Sequence, residues 1–138
     1  MPGGGERDRL CEHVFVSIKG SPQLFFRRSI EQGNALNAWG AAHELGRLSL
    51  GDALALSLVV LDGDRPRYGR LAVRWTGRLV TEAGGLDLDD LALTAAALAA
   101  LRGEEAGPAA ATLAAVLERR GEHGARQALE AWGRRRGA

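Results

Sequence analysis

From Ser21 onward the chain is punctuated at short intervals by residues that start and stop helices, and this punctuation limits the fold more than any other feature. Ser21-Pro22 pairs an N-cap with a proline at the first helical position, where its missing N–H costs nothing, and Gly33 supplies a left-handed stop. Asn34 opens a second helix that ends near Gly46. Ser49 with Asp52 resembles a capping box and opens a third helix reaching about Leu61, before the turn Asp62-Gly63-Asp64. A fourth, longer helix runs from Arg65-Pro66 to just before Gly84-Gly85, and Asp87 with Asp90 caps a fifth that Gly103 closes. Two shorter helices follow, Pro108 to Arg120 and about Glu122 to Arg135, making about seven in all. Connections of a few residues turn successive helices antiparallel. The expected class is therefore all-α, as a bundle or a short α-solenoid-like stack. The repetition of LSLGD (48–52) as LDLDD (86–90) falls close to the period of HEAT-like and TPR-like repeats, which keeps the stack open beside the bundle.

Ala, Leu and Arg dominate the chain and lead the helix-propensity scale, while β-branched residues are scarce. The third helix (DALALSLVVL) and the fifth (LALTAAALAAL) are apolar on nearly every face, so each is expected at the centre, surrounded by other helices. Residues 1–12 are glycine-rich and charged and read as a flexible tail. Residues 13–20 (HVFVSIKG) alternate like an extended arm or short strand. A length of 138 residues is ordinary for one domain, so 21–138 is expected to form a single helical domain.

Charge and cysteine content narrow the setting. The formal net charge of +1 provides no global field that selects DNA, a membrane or an acidic substrate, so any basic site must be local. Lys19 is the only lysine beside many arginines, the bias expected of a GC-rich bacterial genome, and counting arginines therefore says little by itself. A lone Cys11 and an N-terminus without an apolar signal region point to the cytoplasm. The longest apolar stretch, Ala53 to Leu61, is far shorter than the roughly 20 residues a bilayer requires, so no membrane contact is expected.

One constellation stands out. Arg67, Arg70, Arg74 and Arg78 share one face of the fourth helix, beside a core-facing stripe of Tyr68, Leu71, Trp75 and Leu79. Like charges at helical spacing repel, and an anionic partner, whether nucleic-acid phosphate or an acidic protein surface, would relieve that cost. The competing reading is a solvated face in which Arg78 pairs with Glu82 and the others reach nearby acids. Trp39, Trp75 and Trp132 each fall on an apolar stripe of a different helix; Trp132 has the fewest apolar neighbours and is the candidate interface anchor, with Phe25 and Phe26 as further candidates. His43 falls with Leu36 and Trp39 and reads as a core histidine.

Metal and catalytic motifs are not found. Cys11 and His13 lack a second ligand pair, and Asp62 and Asp64 begin a calcium-loop pattern that Pro66 and Val73 break. Asp87, Asp89 and Asp90 sit where helix capping alone explains them. No nucleophile elbow, phosphate loop or dinucleotide fingerprint is present, so no cofactor is expected. These readings favour a non-enzymatic interaction or scaffold module whose partner is another protein or a second copy. A nucleic-acid-binding accessory protein using the arginine stripe is the alternative, and an enzyme with a site built from distant residues is the third.

Overall fold

The computed structural model describes residues 21–137, and both the tail (1–12) and the extended arm (13–20) lie outside the described residues. Seven helices are found and no strand among the described residues: α1 (Pro22–Glu31), α2 (Ala35–Leu45), α3 (Leu50–Gly63), α4 (Arg65–Ala83), α5 (Leu88–Ala100), α6 (Ala106–Arg119) and α7 (His123–Gly137). The protein is all-α. Contacts divide it into two compact units, one ending at Arg47 and one beginning at Leu48.

Four of the seven helices begin where a side-chain oxygen receives an orphan N–H group of the first turn. Ser21 accepts from Leu24 N at 3.1 Å, Asn34 from Asn37 N at 3.0 Å, and Ser49 from Asp52 N at 3.1 Å. Asp87 and Asp90 complete a reciprocal capping box at the start of α5. Gly33 and Gly46, with φ of 70° and 80°, end α1 and α2 in the left-handed region that favours glycine.

In the first unit α1 packs on α2. Phe26 and Ile30 of α1 are buried, as are Ala38, Ala41 and Ala42 of α2. The small-residue face of α2 is thus the covered one. Leu36 and His43, expected on the core stripe, are exposed, and Trp39 is only half-buried. His43 instead lies tilted against the Trp39 ring at 5.4 Å, with Nδ1 3.3 Å from the Trp39 carbonyl. The correction has a simple cause: three alanines make a flat, closely approachable face, and the bulkier side chains are left on the other.

The second unit is a ring of five helices. α3 packs on α4, α4 on α5, α5 on α6 and α6 on α7, and α7 returns to α3. That last contact selects the bundle over the open stack, because in a solenoid the first and last helices do not meet. Alternation of direction makes the fifth helix parallel to the first, and the contacts agree at both ends. Gly51 of α3 lies against Gly124 of α7 near their N-termini, while Trp132 Nε1 of α7 donates to Asp62 Oδ2 at 2.8 Å near their C-termini.

The core of this unit contains Leu54, Leu58, Trp75, Leu79, Leu113 and Leu117 among others. Each such leucine contributes about 2 kcal/mol through removal from water. The indole of Trp75 donates to the Leu50 carbonyl at 2.9 Å, so this large core side chain also satisfies its one donor and fastens α4 to α3. α3 is buried without interruption from Leu54 to Leu61, as its all-round apolarity requires. No described helix is long and apolar enough to cross a membrane.

Candidate functional site

α5 departs from the sequence-based expectation. It is nearly as apolar as α3, yet within the second unit its main packing partners are α4 and α6, and Ala92, Leu93, Ala95, Ala96 and Ala99 are exposed. Its covered side carries Asp90, Thr94, Ala97 and Leu98. An alanine-rich helix was expected at the centre because periodicity cannot separate a helix buried all round from one whose second face is bare. Leu88 at its start is 78% exposed. No helix of the second unit covers that face.

Beside it, between α4 and α5, lies a groove of about 410 Å³ whose walls include Gly69, Val73 and Thr76 from α4 and Ala95 and Ala99 from α5. Val73 is 73% exposed, and Val80, two turns further along α4, is exposed on the same side. The floor is built from Tyr68 and Leu98. The Tyr68 hydroxyl donates to the Leu98 carbonyl at 2.7 Å, which spans the groove and ties α4 to α5. Burial pushes the Tyr68 hydroxyl pKa up to about 12, with the Arg102 charge opposing it.

Thr76 Oγ1 and Arg102 Nε, also of the lining, are engaged as well. Thr76 Oγ1 donates to the Ala72 carbonyl at 2.8 Å. Arg102, at the mouth, uses Nε on the Ala99 carbonyl at 2.9 Å, and its own carbonyl accepts from Arg65. The groove therefore offers apolar contact with little free hydrogen-bonding capacity. Nor does its lining bring two titratable side chains into the hydrogen-bonded pairing that acid–base or nucleophilic chemistry uses.

The arginine stripe of α4 borders this groove, and the structure divides it in two. Arg67 is ion-paired to Asp64 at 2.8 Å and Arg78 to Glu82 at 2.7 Å, the second pair being the one expected from the sequence. Arg70 and Arg74, one helical turn apart, are exposed and form no ion pair among the described residues. They follow Val73 and Gly77 around the helix, on the side away from the core.

The remaining candidates are placed elsewhere. Trp132 is 2% exposed, with its N–H on Asp62 and the Arg136 guanidinium 4.6 Å from the ring centroid, so it is a core residue with no open face for a partner. Phe26 is buried in the first unit, while its neighbour Phe25 is 46% exposed. The acid cluster at the start of α5 serves structure. Asp90 is buried, accepts from Arg119 Nη2 at 3.0 Å and from Arg120 Nε at 2.7 Å, and caps Asp87 N–H at 3.4 Å. The Arg119 hydrogen bond, followed by the Arg120 and Asp87 contacts, holds its carboxyl below the usual range against the opposing effect of burial. Among the described residues no group of three or more His, Cys, Asp or Glu side chains is placed to hold a metal ion.

Sequence reasoning misses the groove because it is a relation between two helices. The available signal was the run Ala95-Ala96-Ala97, with Ala92 and Ala99 around it, together with Val73 on the polar side of α4. Comparison with protein-family models, with curated proteins and with solved structures gives no match to this chain.

Proposed function

We propose that this chain is a non-enzymatic protein-interaction module whose docking surface is the α4–α5 face. The observation that carries the reading is the bare side of α5, continuous with the groove that contains Val73. A contiguous apolar surface costs solubility unless it is covered in use, and a concave one gives a partner's side chains somewhere to bury. The Tyr68 and Thr76 hydroxyls and the Arg102 Nε are already bonded within the chain, which favours apolar side chains in the groove over a polar small molecule.

The nucleic-acid alternative rests on Arg70 and Arg74, since ion pairing engages Arg67 and Arg78. Two phosphate contacts on one helix are a small electrostatic footprint, and an apolar groove beside them has no counterpart on a phosphate backbone.

Site-specific photocrosslinking in the native cells tests the module reading. A benzophenone side chain at Val73, exposed on the groove, is expected to give a discrete protein adduct, whereas the same group at the exposed Ala115 of α6 gives none. Equal yields at both positions, or no adduct at Val73, would refute docking on this face.

A further inference from the structure

We infer that the occupant of the α4–α5 groove is an amphipathic α-helix of a partner protein, with its apolar stripe flanked by Asp and Glu; this rests on the docking reading above and adds the partner's class. Both walls are helices whose main-chain groups bond within the helix; the Ala72, Gly77, Leu98 and Ala99 carbonyls, and that of Arg102 just past α5, in addition accept side-chain donors of this chain. An extended peptide laid in the groove would find no ladder of donors and acceptors, and its own N–H and C=O groups would be buried unpaired. A helix satisfies its backbone internally and presents only side chains.

Gly69 and Gly77 on α4 and Ala92, Ala95 and Ala99 on α5 keep both rims low, so a helix axis can approach closely while its larger apolar residues enter the groove over Val73. Val80 continues the strip for a second pair of turns, matching an i, i+3, i+4, i+7 pattern of anchors.

Arg70 and Arg74 line the outer edge of α4, and Arg102 stands at the mouth beside Arg65. None of the four is in an ion pair with a described carboxylate, although Arg67 and Arg78 on the same helix both are. Glu104 and Glu105 share a shallow hollow with Arg65 and Arg102 past the end of the groove without forming such a pair, and Asp89 marks the opposite end of α5. Along the groove itself the flanking charge is positive. Carboxylates beside the partner's apolar stripe would meet Arg70, Arg74 and Arg102, speeding encounter and setting orientation.

The experiment is a selection on the purified full-length protein. A displayed library of helical peptides is randomised among aliphatic and aromatic residues at i, i+3, i+4 and i+7, and among Glu, Asp, Gln and Lys at the flanking positions. Enriched peptides are expected to carry Glu and Asp flanks. Their affinity by fluorescence anisotropy should fall roughly tenfold or more in the Arg70→Glu, Arg74→Glu variant and be lost in Val73→Asp. Both variants change exposed side chains, and circular dichroism confirms that they are folded. Enrichment of neutral or basic flanks with Val73 still required would overturn the acidic class and leave docking on this face intact. Peptides indifferent to Val73→Asp, or no enrichment at all, would overturn both. A dimer in sedimentation that Val73→Asp dissociates would assign the groove to a second copy and overturn the partner-helix inference.

Discussion

Gly51 provides the sharpest test of how the five-helix ring closes. A Cβ built on Gly51 lies 2.9 Å from both the carbonyl carbon and oxygen of Gly124 and 3.3 Å from Ala125 N, all backbone atoms of α7. Ordinary van der Waals contact begins at 3.4 Å, so Gly51→Ala requires α3 and α7 to separate by about 0.5 Å or more. Overpacking of this kind costs about 1–3 kcal/mol, because a close-packed interior relaxes by shifting whole elements. Alanine returns up to about 1 kcal/mol of helix propensity, leaving a net loss of about 1 kcal/mol. Gly77 in α4 is the internal control: a Cβ there meets nothing within 4 Å, so Gly77→Ala should gain about 0.5–1 kcal/mol. Urea denaturation followed by tryptophan fluorescence measures both, provided the slope is unchanged. Opposite signs are expected. A Gly51→Ala protein stabilised as much as Gly77→Ala would show that α3 and α7 do not meet at this point.

Other predictions concern single buried groups. Tyr68 is the only tyrosine, so its ionisation can be followed by absorbance; the midpoint should lie near pH 12 in the native protein and near 10 in concentrated urea, and the stability this group contributes is present below about pH 10 and lost as pH rises through 12. A native midpoint near 10 would contradict its burial. Asp90, with its folded pKa depressed, contributes stability that is present above the ordinary carboxylate pKa of about 4 and lost as pH falls through the lower folded value. Asp90→Asn should therefore be less stable than the parent at pH 7, with the gap narrowing in thermal melts below pH 4; a constant gap would count against the two arginine contacts. Thr94 is fully buried with no hydrogen-bond partner for its hydroxyl among the described residues, so Thr94→Val should be neutral or more stable by about 1 kcal/mol in the same urea assay. Trp132→Phe deletes the donor to Asp62 and should cost about 1–3 kcal/mol, and an unchanged denaturation midpoint would remove that bond from the closure of α3 on α7.

Helix starts are legible in the sequence because a cap is a local device: Ser21, Asn34, Ser49 and the Asp87–Asp90 box each act on N–H groups within a turn. The core stripe of α4 is legible for the same reason, since Tyr68, Trp75 and Leu79 share a helical period that their burial follows. Closure of the bundle is not local. It depends on Gly51 meeting Gly124 across a long sequence separation, and a glycine in a first helical turn carries no mark of its neighbour. The α2 face is misjudged by giving weight to Leu36 and Trp39, when Ala38, Ala41 and Ala42 form the covered side. The arginine stripe is visible as a pattern, and its division is local as well: Arg67 and Arg78 pair with Asp64 and Glu82, three and four residues away, while Arg70 and Arg74 face solvent beside a groove that only tertiary packing creates.

Docking on the α4–α5 face is tested most directly by backbone NMR of the ¹⁵N-labelled protein titrated with the tightest peptide from the acidic-helix selection. The expected shifts concentrate at Gly69, Val73, Thr76, Ala95 and Ala99, with the α6–α7 backbone unchanged. Shifts centred on α6 and α7, or on the first unit, with the groove residues unmoved, would contradict it.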